Sequence, residues 1–294
     1  MYKLIAIDLD GTLLDSYSEI SEKTKIVLNI AIKKGIEVVI SSGRTVDSIK
    51  SITDDIIGKN YIIAGNGSIL YNLKENHPIY EMYMSKDKVI NIINICEENS
   101  ITYSVYTNKA IVSNSLKYNV LYYYKENLKK APSKQTNIII TQDTYEYVKN
   151  MPQDEKVIKI FICDKNKSVF NAIMKKISSI DEIQTLDVSH MARKYITNGN
   201  EEIPIEYFYT EVSEKSVDKW FALDYLINML NIDSKDVIAI GDNVNDKKMI
   251  ENAGVGIAMK NSTPQLTDIA DYVTDFDNNH NGVANAIEKF IDIL

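Results

Sequence analysis

The order of apolar runs predicts an α/β protein, with a largely parallel sheet core that is discontinuous in sequence and a domain of α+β character inserted into it. Three observations predict this. Ahead of residue 84, short apolar runs alternate with amphipathic stretches. The same alternation returns after residue 212. Between them, strand-like segments follow one another with few helical breaks, and Tyr and Lys are dense.

Residues 4–9 form a short apolar run that reads as a strand. An amphipathic stretch over 22–34, closed by Gly35, predicts a helix with a glycine stop. A strand over 37–41 follows, then a helix carrying Val46, Ile49, Ile52 and Ile56 on one side, then a strand over 61–64. The run Val38-Val39-Ile40 has no polar alternation, as a parallel sheet covered on both faces requires. In the middle segment a helix over 88–98 leads to strands over 101–107, 110–113 and 157–163. Near the C-terminus, 237–240 reads as a strand, 247–253 as a helix ended by Gly254, 255–259 as a strand, and a last helix starts at about Val283. The resulting division is 1–83 with 213–294 for the core and 84–212 for the insertion.

At 294 residues, 45% hydrophobic and 25% charged, the chain can fill one or two domains of about 100–200 residues. Its net charge of -8 and pI near 5.1 supply no basic field, so a nucleic-acid partner is disfavoured. Cys96 and Cys163 lie far apart without Cys or His at ligand spacing, which predicts two buried thiols rather than a zinc site or a disulfide. His77, His190 and His280 show no ligand spacing either. Met1-Tyr2-Lys3 runs straight into an apolar strand without a secretory h-region, and no segment approaches the roughly 20 apolar residues of a membrane span. A cytoplasmic location without membrane partners is the expectation; oligomeric state is not legible.

The first strand ends in Asp8-Leu9-Asp10-Gly11-Thr12-Leu13-Leu14, so two carboxylates separated by one residue leave the C-terminal edge of a sheet on the same side. Open α/β sheets bind ligands at that edge. Taken alone, the segment reads more readily as an ordinary acidic turn than as a catalytic pair. Three further segments change the balance: Ser41-Ser42-Gly43-Arg44 after the second strand, Lys219 within 211–219, and Gly241-Asp242-Asn243-Val244-Asn245-Asp246.

These four segments, in this order, resemble the motifs of the haloacid-dehalogenase superfamily. Asn66-Gly67 and Ala258-Met259-Lys260-Asn261 resemble its Cof-type subgroup, which carries a large α+β cap (type IIB). The resemblance implies a Rossmann-like core and a magnesium-dependent phosphatase acting on small phosphorylated metabolites, such as sugar phosphates and sometimes nucleotide or cofactor phosphates. It implies Asp8 as nucleophile, forming an aspartyl phosphate, and Asp10 as general acid and base. Mg2+ would be held by Asp8, Asp242 and the backbone carbonyl of Asp10. Leu9 (backbone), Ser42, Gly43 (N–H), Lys219 and Asn245 would contact the phosphate. The chemistry is coherent on its own terms, since phosphoryl transfer needs a nucleophile, a proton donor and positive charge around the transferring group. Asp246, four residues after Asp242, is expected behind the metal, holding its waters.

Ser216 reads as an N-cap, and Trp220, Leu223, Ile227 and Leu230 form an apolar stripe, which places Lys219 in the first helical turn. A lysine there opposes the helix dipole unless Asp218 offsets it or an anion is bound nearby. Trp220 stands where the family commonly has glycine, either reshaping the entrance or packing into the core. Arg44 reads as a phosphate contact or an internal ion pair, with a structural or cap-closing role preferred. Tyr122, Tyr123, Tyr124, Lys125, Lys134 and Arg193 are candidates for contacting a sugar or ring, although exposed cap surface is the better reading of them. Transfer to a second sugar, as in phosphomutases, and a non-catalytic ligand sensor remain as alternatives.

Overall fold

The computed structural model describes residues 2–129, 131–132, 135–186, 192–198 and 201–292; Lys134, His190 and the side chain of Arg193 lie outside what is described. In chain order the elements are β1 (Leu4–Asp8), α1 (Glu22–Lys33), β2 (Glu37–Ser41), α2 (Val46–Ile52), β3 (Tyr61–Ala64), β4 (Ile69–Asn72) and β5 (His77–Glu81). Then come α3 (Lys86–Glu98), β6 (Thr102–Thr107), β7 (Ile111–Ser113), α4 (Tyr118–Asn127), β8 (Ile138–Ile140), α5 (Thr144–Lys149), β9 (Val157–Asp164), α6 (Lys167–Ile177), β10 (Ile183–Thr185), β11 (Ala192–Asn198) and β12 (Glu201–Glu214). The chain finishes with α7 (Lys219–Leu230), β13 (Val237–Gly241), α8 (Lys247–Asn252), β14 (Val255–Ala258), α9 (Pro264–Thr267), β15 (Tyr272–Val273) and α10 (Gly282–Phe290). It divides into two compact units, Met1–Glu81 with Val217–Leu294, and Met82–Ser216. No helix among the described residues is long and apolar enough to cross a membrane.

The first unit is an eight-stranded sheet in the order β15-β14-β13-β1-β2-β3-β4-β5. It is parallel from β15 to β3, with Leu4 opposite both Val237 and Glu37 and Asp8 opposite Ser41. β1 and β13 are buried along their whole length, which is why they read as unbroken apolar runs. By the strand's period of two, Leu4 and Ala6 face α7 and α8 and pack with Val39, Ala222, Leu223, Leu226, Val237 and Met249. α1 packs on β2 and α10. Because β1 pairs with β2 on one side and β13 on the other, the strand order reverses there, and the C-terminal ends of β1 and β13 open the crevice where such sheets bind ligands.

Two features differ from the sequence reading. The sheet continues past β3 into an antiparallel pair, β4 and β5, which are short and half-buried, with Pro78 in the edge strand, so they lack an apolar signal. Helix α7 is capped by Asp218 rather than Ser216: the Asp218 carboxylate accepts from the Phe221 N–H at 2.8 Å, while Ser216 sits in a left-handed turn two residues earlier. Asp caps as well as Ser, and the extended backbone at Asp218 supplies the geometry.

The second unit is a seven-stranded sheet, ordered β10-β12-β9-β6-β7-β8 with β11 pairing the first half of β12. All pairs are antiparallel except β7 with β8. One face packs Val105, Ile160, Ile162 and Val212 against Val89, Ile92, Ile93 and Cys96 of α3 and Phe170, Ile173 and Ile177 of α6. The alternate residues Phe161, Cys163 and Tyr207 build an aromatic face with Tyr106, Tyr118 and Tyr209. Phe161 stacks on Tyr209 with centroids 5.0 Å apart. Tyr122, Tyr123, Tyr124 and Lys125 lie on α4, and Tyr124 is exposed. Cys96 and Cys163 are free and buried, as expected, and burial pushes the Cys96 thiol up to about 12.

The turn after β3 fixes the start of α7. Gly67 has φ +103°, and a Cβ there would lie 2.0 Å from the carbonyl oxygen of Asp218. Both the left-handed backbone and the backbone contact exclude a side chain. We expect Gly67→Ala to lower stability by about 2–4 kcal/mol, combining overpacking with backbone strain, as read from the urea midpoint; an unchanged midpoint would contradict this packing.

Candidate active site

Asp8 is the last residue of β1, and the chain turns immediately after it, Leu13 N–H bonding back to the Asp8 carbonyl at 3.2 Å and Leu14 N–H to the Leu9 carbonyl at 2.9 Å. β13 ends at Gly241, and the following turn carries Asp242 and then Asp246, whose Oδ2 accepts from the N–H groups of Asp242 at 3.0 Å and Asn243 at 3.1 Å. Lys219, the first residue of α7, is fully buried and gives its ammonium to Asp8 Oδ1 and, at 2.6 Å, to Asp246 Oδ1. Thr12 donates to Asp242 Oδ1 at 3.0 Å. Gly11 makes room beside that carboxylate, since a Cβ there would lie 2.5 Å from Asp242 Oδ2. Carboxylate oxygens of Asp8, Asp242 and Asp246 thereby come within 4.8 Å of one another.

The electrostatics follow from burial and count. Burial, then the charge of Asp246, push the Asp8 carboxyl up to about 7 against the pull of Lys219. Burial and Asp8 raise Asp242 well above the carboxylate range. For Lys219, burial acts to lower its pKa, but the charges of Asp246 and Asp8 outweigh it and raise it. Three carboxylates facing one ammonium leave the pocket with an excess of negative charge in a poorly solvated place. The donors are all hard oxygens, so the residues present fit a hard divalent cation that prefers oxygen.

The remaining sequence-selected residues leave the same sheet edge. Leu9 is fully buried in the turn after Asp8. Asp10, with 51% of its side chain exposed, is gripped by Arg44: Nε donates to Oδ2 at 2.8 Å and an Nη to Oδ1 at 2.6 Å. Ser42 is buried and its hydroxyl accepts from the Arg44 N–H at 3.2 Å, with Gly43 in the bend between them. Asn245 donates to Asn66 Oδ1 at 3.2 Å. Asp246, expected behind the metal, lies in the carboxylate cluster, where its Oδ1 holds Lys219 and its Oδ2 caps its own turn. Trp220 packs against the core cluster. His77 and His280 are surface residues beside Glu75 and Asp277.

Thr12 and Asn66 join the site without standing among the sequence candidates, although both lie inside motif segments. Their signal was a polar side chain beside a motif aspartate or glycine, which in sequence is also ordinary turn chemistry. Asn261 Nδ2 donates to the Gly11 carbonyl at 2.8 Å and so pins the turn after β1.

The family described as haloacid dehalogenase-like hydrolases matches residues 5–287. Among curated proteins, the chain is 27% identical to the phosphatase YwpJ of Bacillus subtilis, over 98% of this chain and all of that one. It is 29% identical to 5-amino-6-(5-phospho-D-ribitylamino)uracil phosphatase YwtE of the same organism, over 98% of each chain. A solved haloacid dehalogenase-like hydrolase from B. subtilis superposes with a TM-score of 0.80 at 26% identity, covering 98% of this chain and all of that one. With the motif aspartates and lysine gathered at the reversal point of a parallel sheet, and with the match running nearly end to end, this chain belongs to the haloacid dehalogenase-like hydrolases and is a phosphatase of that family.

Proposed function

We propose that the protein hydrolyses phosphate monoesters of small polyhydroxylated metabolites through an aspartyl-phosphate intermediate formed on Asp8. The observation that carries this reading is the cluster of Asp8, Asp242 and Asp246 closed by the buried ammonium of Lys219. An oxygen of Asp8 forms a bond to phosphorus as the bond from phosphorus to the leaving oxygen breaks, and that oxygen takes a proton from Asp10. Asp10 then accepts a proton from the water that attacks the aspartyl phosphate, releasing phosphate and restoring both carboxyls. Lys219 stays bound to Asp8 and offsets charge on the transferring group. Ser42, the Gly43 N–H, the Leu9 backbone and Asn245 supply neutral donors around it.

Asp8 and Asp242 by side chain and Asp10 by its backbone carbonyl are the proposed holders of Mg2+. When bound, the ion would neutralise the excess carboxylate charge and polarise the phosphoryl oxygens. The unit Met82–Ser216 is proposed as the cap domain that selects the substrate. The ribityl phosphate in the name of YwtE supports a phosphorylated sugar or sugar alcohol as substrate class.

Phosphate release measured on sugar phosphates, nucleotides and an aryl phosphate is expected to require Mg2+, to stop with chelator, and to fall on the order of 10³-fold or more in Asp8→Asn. A folded, Mg2+-loaded wild type that is silent on every substrate would sink the hydrolytic reading.

The raised carboxyls give a second expectation. A group whose folded pKa is raised stabilises the fold below its unfolded value, and that contribution is lost as pH rises through the folded value. For Asp8 the window runs from about 4 to about 7. Cations and protons compete for the same oxygens. The rise in melting temperature on adding Mg2+ should therefore grow from pH 5 to pH 8 and flatten in Asp242→Asn. A pH-independent increment would place the ion elsewhere.

A further inference from the structure

Asp8 and Asp10 stand two residues apart yet are held in opposite ways. Asp8 is buried beside an ammonium, whereas Asp10 is half exposed, and its carboxylate meets a guanidinium that is itself nearly buried, with 11% of its side chain exposed. A half-exposed aspartate side chain ordinarily samples several rotamers. Arg44 removes that freedom. Two parallel N–H donors of a planar fork, at 2.8 and 2.6 Å, fix both the direction of the carboxylate and its roll about its own axis. A single ammonium would fix only the distance.

The anchor behind the fork is rigid. Arg44 lies three residues beyond the end of β2, the strand paired directly with β1. Its N–H donates to the Ser42 hydroxyl at 3.2 Å, its carbonyl accepts from Gly65 N–H at 2.9 Å, and another guanidinium nitrogen reaches Ser48 Oγ at 3.4 Å. The backbone of Arg44 is therefore tied to the residue after β2 and to the turn after β3, and its side chain to α2. A proton donor contributes only within hydrogen-bond reach of the leaving oxygen, so whatever aims Asp10 sets the rate of leaving-group departure.

We propose that Arg44 is the positioning residue for Asp10, aiming its carboxyl at the leaving oxygen. This rests on the acid and base role assigned to Asp10 above. It excludes the phosphate-contact reading of Arg44 as its main function and gives the internal ion pair a task in the reaction.

The test compares phenyl phosphate with 4-nitrophenyl phosphate, nearly the same shape but with leaving groups that differ in their need for a proton. kcat/KM on each is measured in the Mg2+-loaded full chain for wild type, Arg44→Gln, Arg44→Lys and Asp10→Asn, with melting temperatures recorded alongside. If Arg44 aims the donor, Arg44→Gln lowers the phenyl-to-nitrophenyl ratio about tenfold or more, in the same direction as Asp10→Asn, and Arg44→Lys falls between. A purely structural role would lower both substrates together and leave the ratio unchanged. Should Asp10→Asn shift the ratio while both Arg44 variants leave it alone, the positioning role is wrong and the role of Asp10 stands. An Asp10→Asn variant with an unchanged ratio removes the acid role and this inference with it. A rise in phenyl phosphate turnover in Arg44→Gln would mean that the fork restrains Asp10, which also overturns the proposal.

Discussion

The buried ammonium of Lys219, shared between Asp8 and Asp246, is the interaction on which the site depends. It joins three elements that are remote in sequence: the end of β1, the turn after β13 and the first turn of α7. Leaving one member of such a buried set unpaired costs about 3–5 kcal/mol, so the three elements cannot drift independently. The rest of the first unit serves that placement. The Asp218 cap starts α7 at the right residue, and the missing side chain at Gly67 lets the turn after β3 lie against the Asp218 carbonyl.

The same cluster explains why the core is built as it is. β1 carries only Leu, Ile and Ala before Asp8, and β13 only Val, Ile, Ala and Gly before Asp242, so the carboxylates emerge from a low-dielectric wall. Coulomb interactions are strong there, and the negative excess left by one lysine among three aspartates is a standing demand for a cation. A solvated version of the same residues would place much weaker demands on either the lysine or an ion.

Much of this was legible in sequence because it is local. The apolar runs of β1, β2, β3, β13 and β14 declare parallel strands, and the aspartates follow the strands they terminate. What was illegible is set by pairing across the fold. Lys219 and Asp246 are 27 residues apart, and Lys219 and Asp8 are 211 apart, so no spacing rule connects them. Spacing relates Asp246 only to Asp242, and its pairing with Lys219 comes from the fold. The β4 and β5 pair escaped because an edge hairpin with a proline and mixed polarity resembles a loop. Asp218 outcompeted Ser216 as cap through backbone geometry, which composition does not encode.

On the proposed mechanism, the two aspartates of the first motif would supply two unlike functions from one short segment. A nucleophile must keep an oxygen available for phosphorus, and a lysine, as a point charge, neutralises Asp8 while engaging only one of its oxygens. A proton carrier that cycles must instead be aimed and remain in reach of water, and the planar fork of Arg44 orients Asp10 while leaving it half exposed. Exchanging the two cations would invert these properties, because a guanidinium would occupy both oxygens of the nucleophile and an ammonium would let the acid swing. Under that mechanism, the difference between lysine and arginine at these two positions would carry the division of labour that the identical side chains of Asp8 and Asp10 cannot carry themselves.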